Sequence, residues 1–134
     1  MLGDALMSAG EPISATQAYL AYLEAGTVIT PYVNLSLGDA FRAAGLYTSA
    51  RPAYARAIAD PPSASFEAGT REKMALTHVA QEQYRAAVDQ YDAILEMARL
   101  PGYRARIGYQ AAETLILAGE TEEAYARYAD VVER

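Results

Sequence analysis

The chain predicts an all-α solenoid, and three regularities predict it. An Ala-x-x-x-Tyr pair occurs four times, as Ala15/Tyr19, Ala50/Tyr54, Ala87/Tyr91 and Ala124/Tyr128, at steps of 35, 37 and 37 residues. A small residue and a ring four apart lie one above the other on one face of a helix. Thirteen residues ahead of each alanine stands Leu2, Leu37, Met74 or Ala111, followed each time by a small residue, Gly3, Gly38, Ala75 or Ala112. Five residues ahead, Gly10, Gly45 and Gly119 fall where a helix must stop and turn, and Glu82 departs from that rule in the third unit. A recurrence of this length is that of a helix pair stacked on like neighbours.

Eight helices in four antiparallel pairs are expected. The first covers 2–9. The second covers 12–24 and opens on Pro12, whose missing N–H is no loss in a first turn. Thr30-Pro31 reads as an N-cap followed by the first residue of a helix to residue 44. The next covers 47–59, and Pro52 makes it start late, near Ser49, or bend. Asp60-Pro61-Pro62 stops it. Ser63 or Ser65 can cap the fifth, which runs to residue 80. The sixth covers 84–98. Leu100-Pro101-Gly102 breaks the chain again, the seventh covers 103–118, and Gly119 is its C-terminal stop. Thr121 with Glu122 and Glu123 opens the last, 121–133. The pairs define one repeat domain over 1–134, with repeats at 1–27, 30–62, 65–99 and 102–134. In each, the small residue of the second helix lets the first approach, and the tyrosine fills the space beside it.

The 134 residues are 52% hydrophobic and 21% charged, an ordinary globular mixture. Net charge is −6 and the pI is 4.7. A phosphate backbone needs a basic track, so nucleic acid is not an expected partner. No apolar run is long enough to span a bilayer, so no membrane partner is expected. With no cysteine, disulfides and thiol chemistry are excluded. Residues 1–10 lack the basic start and apolar stretch of a signal peptide, which leaves the cytosol as the expected compartment. The sequence opens inside one repeat and stops on the last turn of another, as a segment of a longer protein would; targeting information would then lie outside it.

These positions resemble the tetratricopeptide repeat family. The second unit carries nearly the whole signature in Leu37-Gly38, Phe41, Gly45, Tyr47, Ala50, Tyr54, Ala57 and Pro62. The third keeps Tyr84, Ala87, Tyr91 and a late Pro101 but has Ile94 where alanine is usual. The fourth keeps Ala124 and Tyr128 but has Val131 there, and the first has Tyr22. The resemblance implies a right-handed superhelix whose concave wall is lined by the first helix of each pair, serving as a protein–protein interaction scaffold that binds a peptide or protein segment.

Carried onto this chain, the wall consists of Asp4 and Met7 in the first unit and Tyr32, Leu35, Asp39, Arg42 and Ala43 in the second. The third contributes Glu72, Leu76 and Val79, and the fourth Arg106, Tyr109, Glu113, Ile116 and Leu117. Asp4, Asp39 and Glu113 hold one repeat position and, with Glu72, suggest an acidic ladder among apolar residues. Such a ladder suits a peptide with a few basic and apolar side chains; alternatively the carboxylates only solvate the wall, and Arg42 and Arg106 can neutralise part of the ladder through local pairs. Family members that hold chaperone C-terminal tails use a basic clamp, which this chain, with Lys73 its one lysine, does not carry. The last helix presents Tyr125, Tyr128, Val131 and Val132 with nothing after it to cover them. This raises a second class of role, homo-oligomerisation or a spacer in a larger protein.

Catalysis is not expected, and neither is a metal or cofactor. His78 is the sole histidine and reads as a packed, hydrogen-bonded residue; with Glu82 one turn away it makes at most half a zinc site. Glu122–Glu123 and Asp89–Asp92 sit on faces expected to be exposed, with no pocket to separate their pKa values. The glycines form no phosphate loop. Asn34-Leu35-Ser36 matches a glycosylation acceptor but lies in a predicted helix with no secretion signal, a chance match.

Overall fold

The computed structural model describes residues 30–133. The expected first pair, 2–9 and 12–24 with Asp4 and Met7, lies outside the described residues. Six helices follow in order: α1 Thr30–Ala43, α2 Tyr47–Ala57, α3 Ala64–Ala80, α4 Tyr84–Met97, α5 Pro101–Leu117 and α6 Thr121–Glu133. The chain divides into two compact units, Met1–Thr70 and Arg71–Arg134, so that α3 gives its first turns to one and the remainder to the other.

In the first unit α1 packs on α2 through Val33, Leu37 and Ala40 on one side and Ala50, Ala53, Tyr54 and Ala57 on the other, all buried. The closest approach is at Gly38: a Cβ built there would stand 2.5 Å from Cε1 of Tyr54. The small residue that admits the ring is therefore on the first helix, while Ala50 and Ala57 clear the second. The Tyr54 hydroxyl donates to Asp39 Oδ1 at 2.7 Å, and Arg56 Nε donates to the buried Asn34 Oδ1 at 3.3 Å. Ser63 caps α3, its Oγ accepting the Phe66 N–H at 3.1 Å.

In the second unit α5 packs on α4 and on α6, with Val88, Leu115 and Ala124 at the shared core. Arg71 on α3 donates to Gln90 on α4 at 2.9 Å. Arg104 on α5 donates to the Leu95 and Ala98 carbonyls at the end of α4, Ala98 at 2.9 Å. A cation there satisfies orphan acceptors at the negative end of the helix. Buried Thr77 and Thr114 satisfy their hydroxyls on Lys73 and Gln110 carbonyls one turn back.

The helix ends differ from the sequence reading in five places, two of them the ends of α1 at Ala43 and α5 at Leu117, each one residue early. Pro101 starts α5 at its first position, with Leu100 as N-cap, instead of breaking the chain. The α2 helix starts at Tyr47 despite Pro52 inside it and stops at Ala57, two residues early. The α4 helix ends at Met97, one residue short of the expectation.

The turns inside the three described pairs are alike. Gly45 (φ 77°), Glu82 (φ 59°) and Gly119 (φ 82°) all adopt the left-handed conformation. Their N–H groups donate three residues back, to Arg42, Val79 and Ile116. The following N–H groups of Leu46, Gln83 and Glu120 donate five back, to Phe41, His78 and Leu115. This is the Schellman closure of a helix C-terminus. Glu82 performs a glycine's task at the strain an L-residue carries there.

Candidate interaction surface

Helical spacing puts the expected groove residues on the outward side of α1, α3 and α5. In the first unit Tyr32 is exposed, and its ring meets Phe66 edge-on at 5.1 Å between centroids. Leu35, Asp39 and Arg42 are half-buried and Ala43 exposed. Asp39 receives the Tyr54 hydroxyl and lies 3.9 Å from Arg42. Burial, then Asp39, push the Tyr54 phenol far above its ordinary range, so this tyrosine stays a neutral donor.

In the second unit Leu76, Tyr109, Glu113, Ile116 and Leu117 are exposed and Val79 half-buried. Glu72 is the hub of a three-residue clamp joining α3 to α5. Arg106 donates to it from Nη1 at 3.0 Å and Nη2 at 3.3 Å, the Tyr103 hydroxyl donates at 2.8 Å, and the guanidinium lies over the Tyr103 ring at 5.0 Å. Burial and this bond push the Tyr103 phenol up to about 12, and the Glu72 bond raises Arg106. Two rungs of the expected ladder, Asp39 and Glu72, are thus engaged inside the protein. Glu113 takes part in no hydrogen bond or ion pair among the described residues. Tyr109 meets Tyr128 edge-on at 5.2 Å and 60°.

Several polar residues were misplaced or missed by sequence reasoning. Asp92 and Glu123 do not merely face solvent. Arg127 on α6 donates to Asp92 from both terminal guanidinium nitrogens and to Glu123 at 3.3 Å. Arg85 on α4 reaches Glu123 at 3.1 Å. The Arg85 bond holds the Glu123 carboxyl below its ordinary range. Partners 35 and 38 residues apart leave no local pattern to read, although these separations are close to one repeat step. Asp89 and Glu122 are exposed as expected.

The last helix is covered in part. Tyr128 rests against Tyr109, and Val131 closes over Gly108, where a Cβ would meet Val131 Cγ2 at 2.8 Å. Tyr125 and Val132 stand out at 64% and 85% exposure. Beside Gly108 lies a cleft of ≈ 230 Å³ lined by Leu95, Pro101, Arg104, Ala105, Arg127, Asp130 and Val131. Its polar lining is two guanidinium groups and one carboxylate, which is no metal-ligand set.

His78 is buried, with Nδ1 3.0 Å from Gln83 Oε1, a packed and hydrogen-bonded histidine that ties α3 to the turn after it. Glu82 is exposed on that turn. Among the described residues no group of three or more His, Cys, Asp or Glu side chains could hold a metal ion, and no helix is long and apolar enough to cross a membrane. The arrangement supplies exposed apolar and aromatic surface with a few charges, which is the chemistry of recognition.

Comparison with known proteins agrees with this geometry. The tetratricopeptide repeat family matches residues 1–65. No curated protein matches the chain in sequence. Two crystal structures of MamA superimpose with TM-scores of 0.79 and 0.78 at 21% and 20% identity, each covering 98% of this chain and 68% and 73% of theirs. A Podosopora anserina protein with nearly identical TPR-like repeats, described as a kinesin light chain, gives 0.71 at 17% identity, covering 98% of this chain and 70% of that one. At such identities the likeness is one of fold: an all-α solenoid of helical repeats.

Proposed function

We propose, from the premise that this chain belongs to the tetratricopeptide repeat family, that it binds a peptide or protein segment along the first helices of its repeats. The fold is that of a protein–protein interaction scaffold in general; the groove as the binding site is our reading. One observation carries it. The first helices keep large apolar side chains in solvent, Tyr32 at 53%, Leu76 at 51%, Tyr109 at 52% and Ile116 at 40%, while their opposite faces are buried. Exposed rings and branched chains at helical spacing are the anchors such interfaces use. Leu35, Asp39 and Arg42 would accompany Tyr32 in the first unit and Val79 would accompany Leu76 in the second, with Glu72 and Arg106 holding the second unit's wall in shape. The site would work by equilibrium binding, without catalysis or a cofactor, and the cytosol is its proposed location.

The test is a peptide-array screen followed by affinity measurement on the best ligand. Tyr109→Ala with Ile116→Ala should weaken binding at least about tenfold, as loss of interface anchors does. Unchanged affinity would remove the groove from consideration. A second reading, self-association through the last helix, has its own observation in the exposed Tyr125 and Val132. It requires a concentration-dependent molar mass in light scattering that Tyr125→Ser abolishes.

A further inference from the structure

The repeat register places Asp39, Leu76 and Glu113 at one equivalent position, and Tyr54, Tyr91 and Tyr128 at another. The structure uses the two acids differently. Asp39 accepts the hydroxyl of Tyr54, whose ring fills the space that a Cβ on Gly38 would take. Glu113, one methylene longer, is exposed and engaged by no hydrogen bond or ion pair among the described residues. Its counterpart Tyr128 turns its ring onto Tyr109, one helical turn before Glu113 on the same face. Of the charged side chains on that face of α5, Arg106 is already neutralised by the two bonds it donates to Glu72, so the charge left is the carboxylate of Glu113. Ile116 and Leu117 lie three and four residues beyond it, also exposed.

The geometry points to Glu113, Tyr109 and Tyr128 as the seat for a cationic side chain, the ammonium of lysine or the guanidinium of arginine, carried by the bound segment among apolar residues. An uncompensated carboxylate supplies the ionic partner, and two phenol rings supply faces over which a cation is held. The local field agrees: loss of water, then Tyr109, Glu113 and Tyr125, raise the Tyr128 phenol above its ordinary value. Of these causes only Glu113 carries a charge at neutral pH, and its field is the part that favours a cation beside the ring. The inference rests on the groove reading and adds the chemistry of its occupant: cationic and apolar together, rather than acidic.

The experiment is an amide NMR titration of the full chain with N-acetyl-lysinamide, N-acetyl-argininamide and the uncharged N-acetyl-norleucinamide. Both cations should shift Tyr109, Glu113 and Tyr128, with the larger response telling lysine from arginine, and added salt should weaken the effect. Norleucinamide should not reproduce the pattern. Glu113→Gln, an exposed change that leaves the fold intact, should weaken the cation response about fivefold, the upper end for an exposed ion pair. Equal shifts with norleucinamide, an unchanged titration in Glu113→Gln, or no shift with any probe would each overturn the seat. A groove peptide found by array that depends on Tyr109 and Ile116 but not on Glu113 would also remove the seat, while leaving the groove reading standing.

Discussion

Two crossings in this chain share one sequence signature and differ in use. In the second repeat Tyr54 is fully buried on Gly38, with its hydroxyl bonded to Asp39. In the fourth, the equivalent Tyr128 is half-buried, stands against Tyr109, and makes no hydrogen bond among the described residues. The small partner is Gly38 in one and Ala112 in the other. The glycine admits the Tyr54 ring to within 2.5 Å of where a Cβ would stand, and the hydroxyl then meets the acid next in sequence; Tyr91, opposite Ala75, is buried without such an approach and has no acid there to meet. One crossing therefore serves the core, and the other leaves a ring and a carboxylate for surface chemistry.

The largest expected effect follows directly. Tyr54→Ala should cost about 3–5 kcal/mol, the loss for a buried aromatic, while Tyr128→Ala should cost about 1 kcal/mol, the centre of the range for substitutions generally. Urea unfolding monitored by circular dichroism measures both. Equal losses would mean that the two crossings are the same in energy and that the difference in exposure carries no weight.

Gly38→Ala sharpens the contrast. The added methyl group meets a ring that cannot swing away, because its hydroxyl is tied to Asp39. Overpacking should cost about 1–3 kcal/mol, against which helix propensity returns about 1 kcal/mol. Ala112→Gly gives the mirror case, a loss of about 1 kcal/mol from propensity alone. Should Gly38→Ala prove stabilising, the close approach would not be what seats Tyr54.

How much of this could be read in advance depended on whether the cause was periodic. The Ala-x-x-x-Tyr register and the bounds of α6 were legible because burial repeats with the helix. The capping of α3 was legible because Ser63 acts over three residues. The Glu72–Tyr103–Arg106 clamp was legible only as a local neutralisation, not as a link between α3 and α5, since its members are 31 and 34 residues apart. Pro101 was misread because a proline that ends one helix and one that starts the next look the same in sequence. The separate fates of Asp39 and Glu113 were hidden for another reason: they hang on where a tyrosine ring 15 residues further on comes to rest, on Asp39 in one repeat and on Tyr109 in the other.

Alkaline titration probes the same tyrosines through their protons. The Tyr103 phenol is pushed from 10.0 to about 12 in the fold, by burial and then by Glu72. The folded state therefore holds this proton more tightly than the unfolded chain does, and the resulting stability is intact below pH 10 and lost as pH climbs toward 12. Tyr54 is shifted in the same direction. Stability should fall above pH 10, and Tyr103→Phe and Tyr54→Phe should each flatten the fall. A wild-type curve that is level through that window would show that neither hydroxyl is held as described.

The smallest effect tests whether the turns, rather than the crossings, set the repeats apart. Gly45 and Gly119 precede the second helices of the two repeats compared above, and Glu82 stands at the same place in the repeat between them, with the same pair of Schellman bonds. Its left-handed backbone costs an L-residue about 1–2 kcal/mol, and glycine's extra freedom in the unfolded chain returns about half of that. Glu82→Gly should therefore stabilise by about 0.5–1 kcal/mol, read as a higher urea midpoint with unchanged slope. The side chain is exposed, so little packing is lost with it. The His78–Gln83 bond at this junction already restrains the turn, which places the gain at the lower end. If Glu82→Gly destabilises the protein, the glutamate side chain holds the turn through contacts of its own, and the equivalence of the three junctions, on which the comparison of the crossings depends, fails.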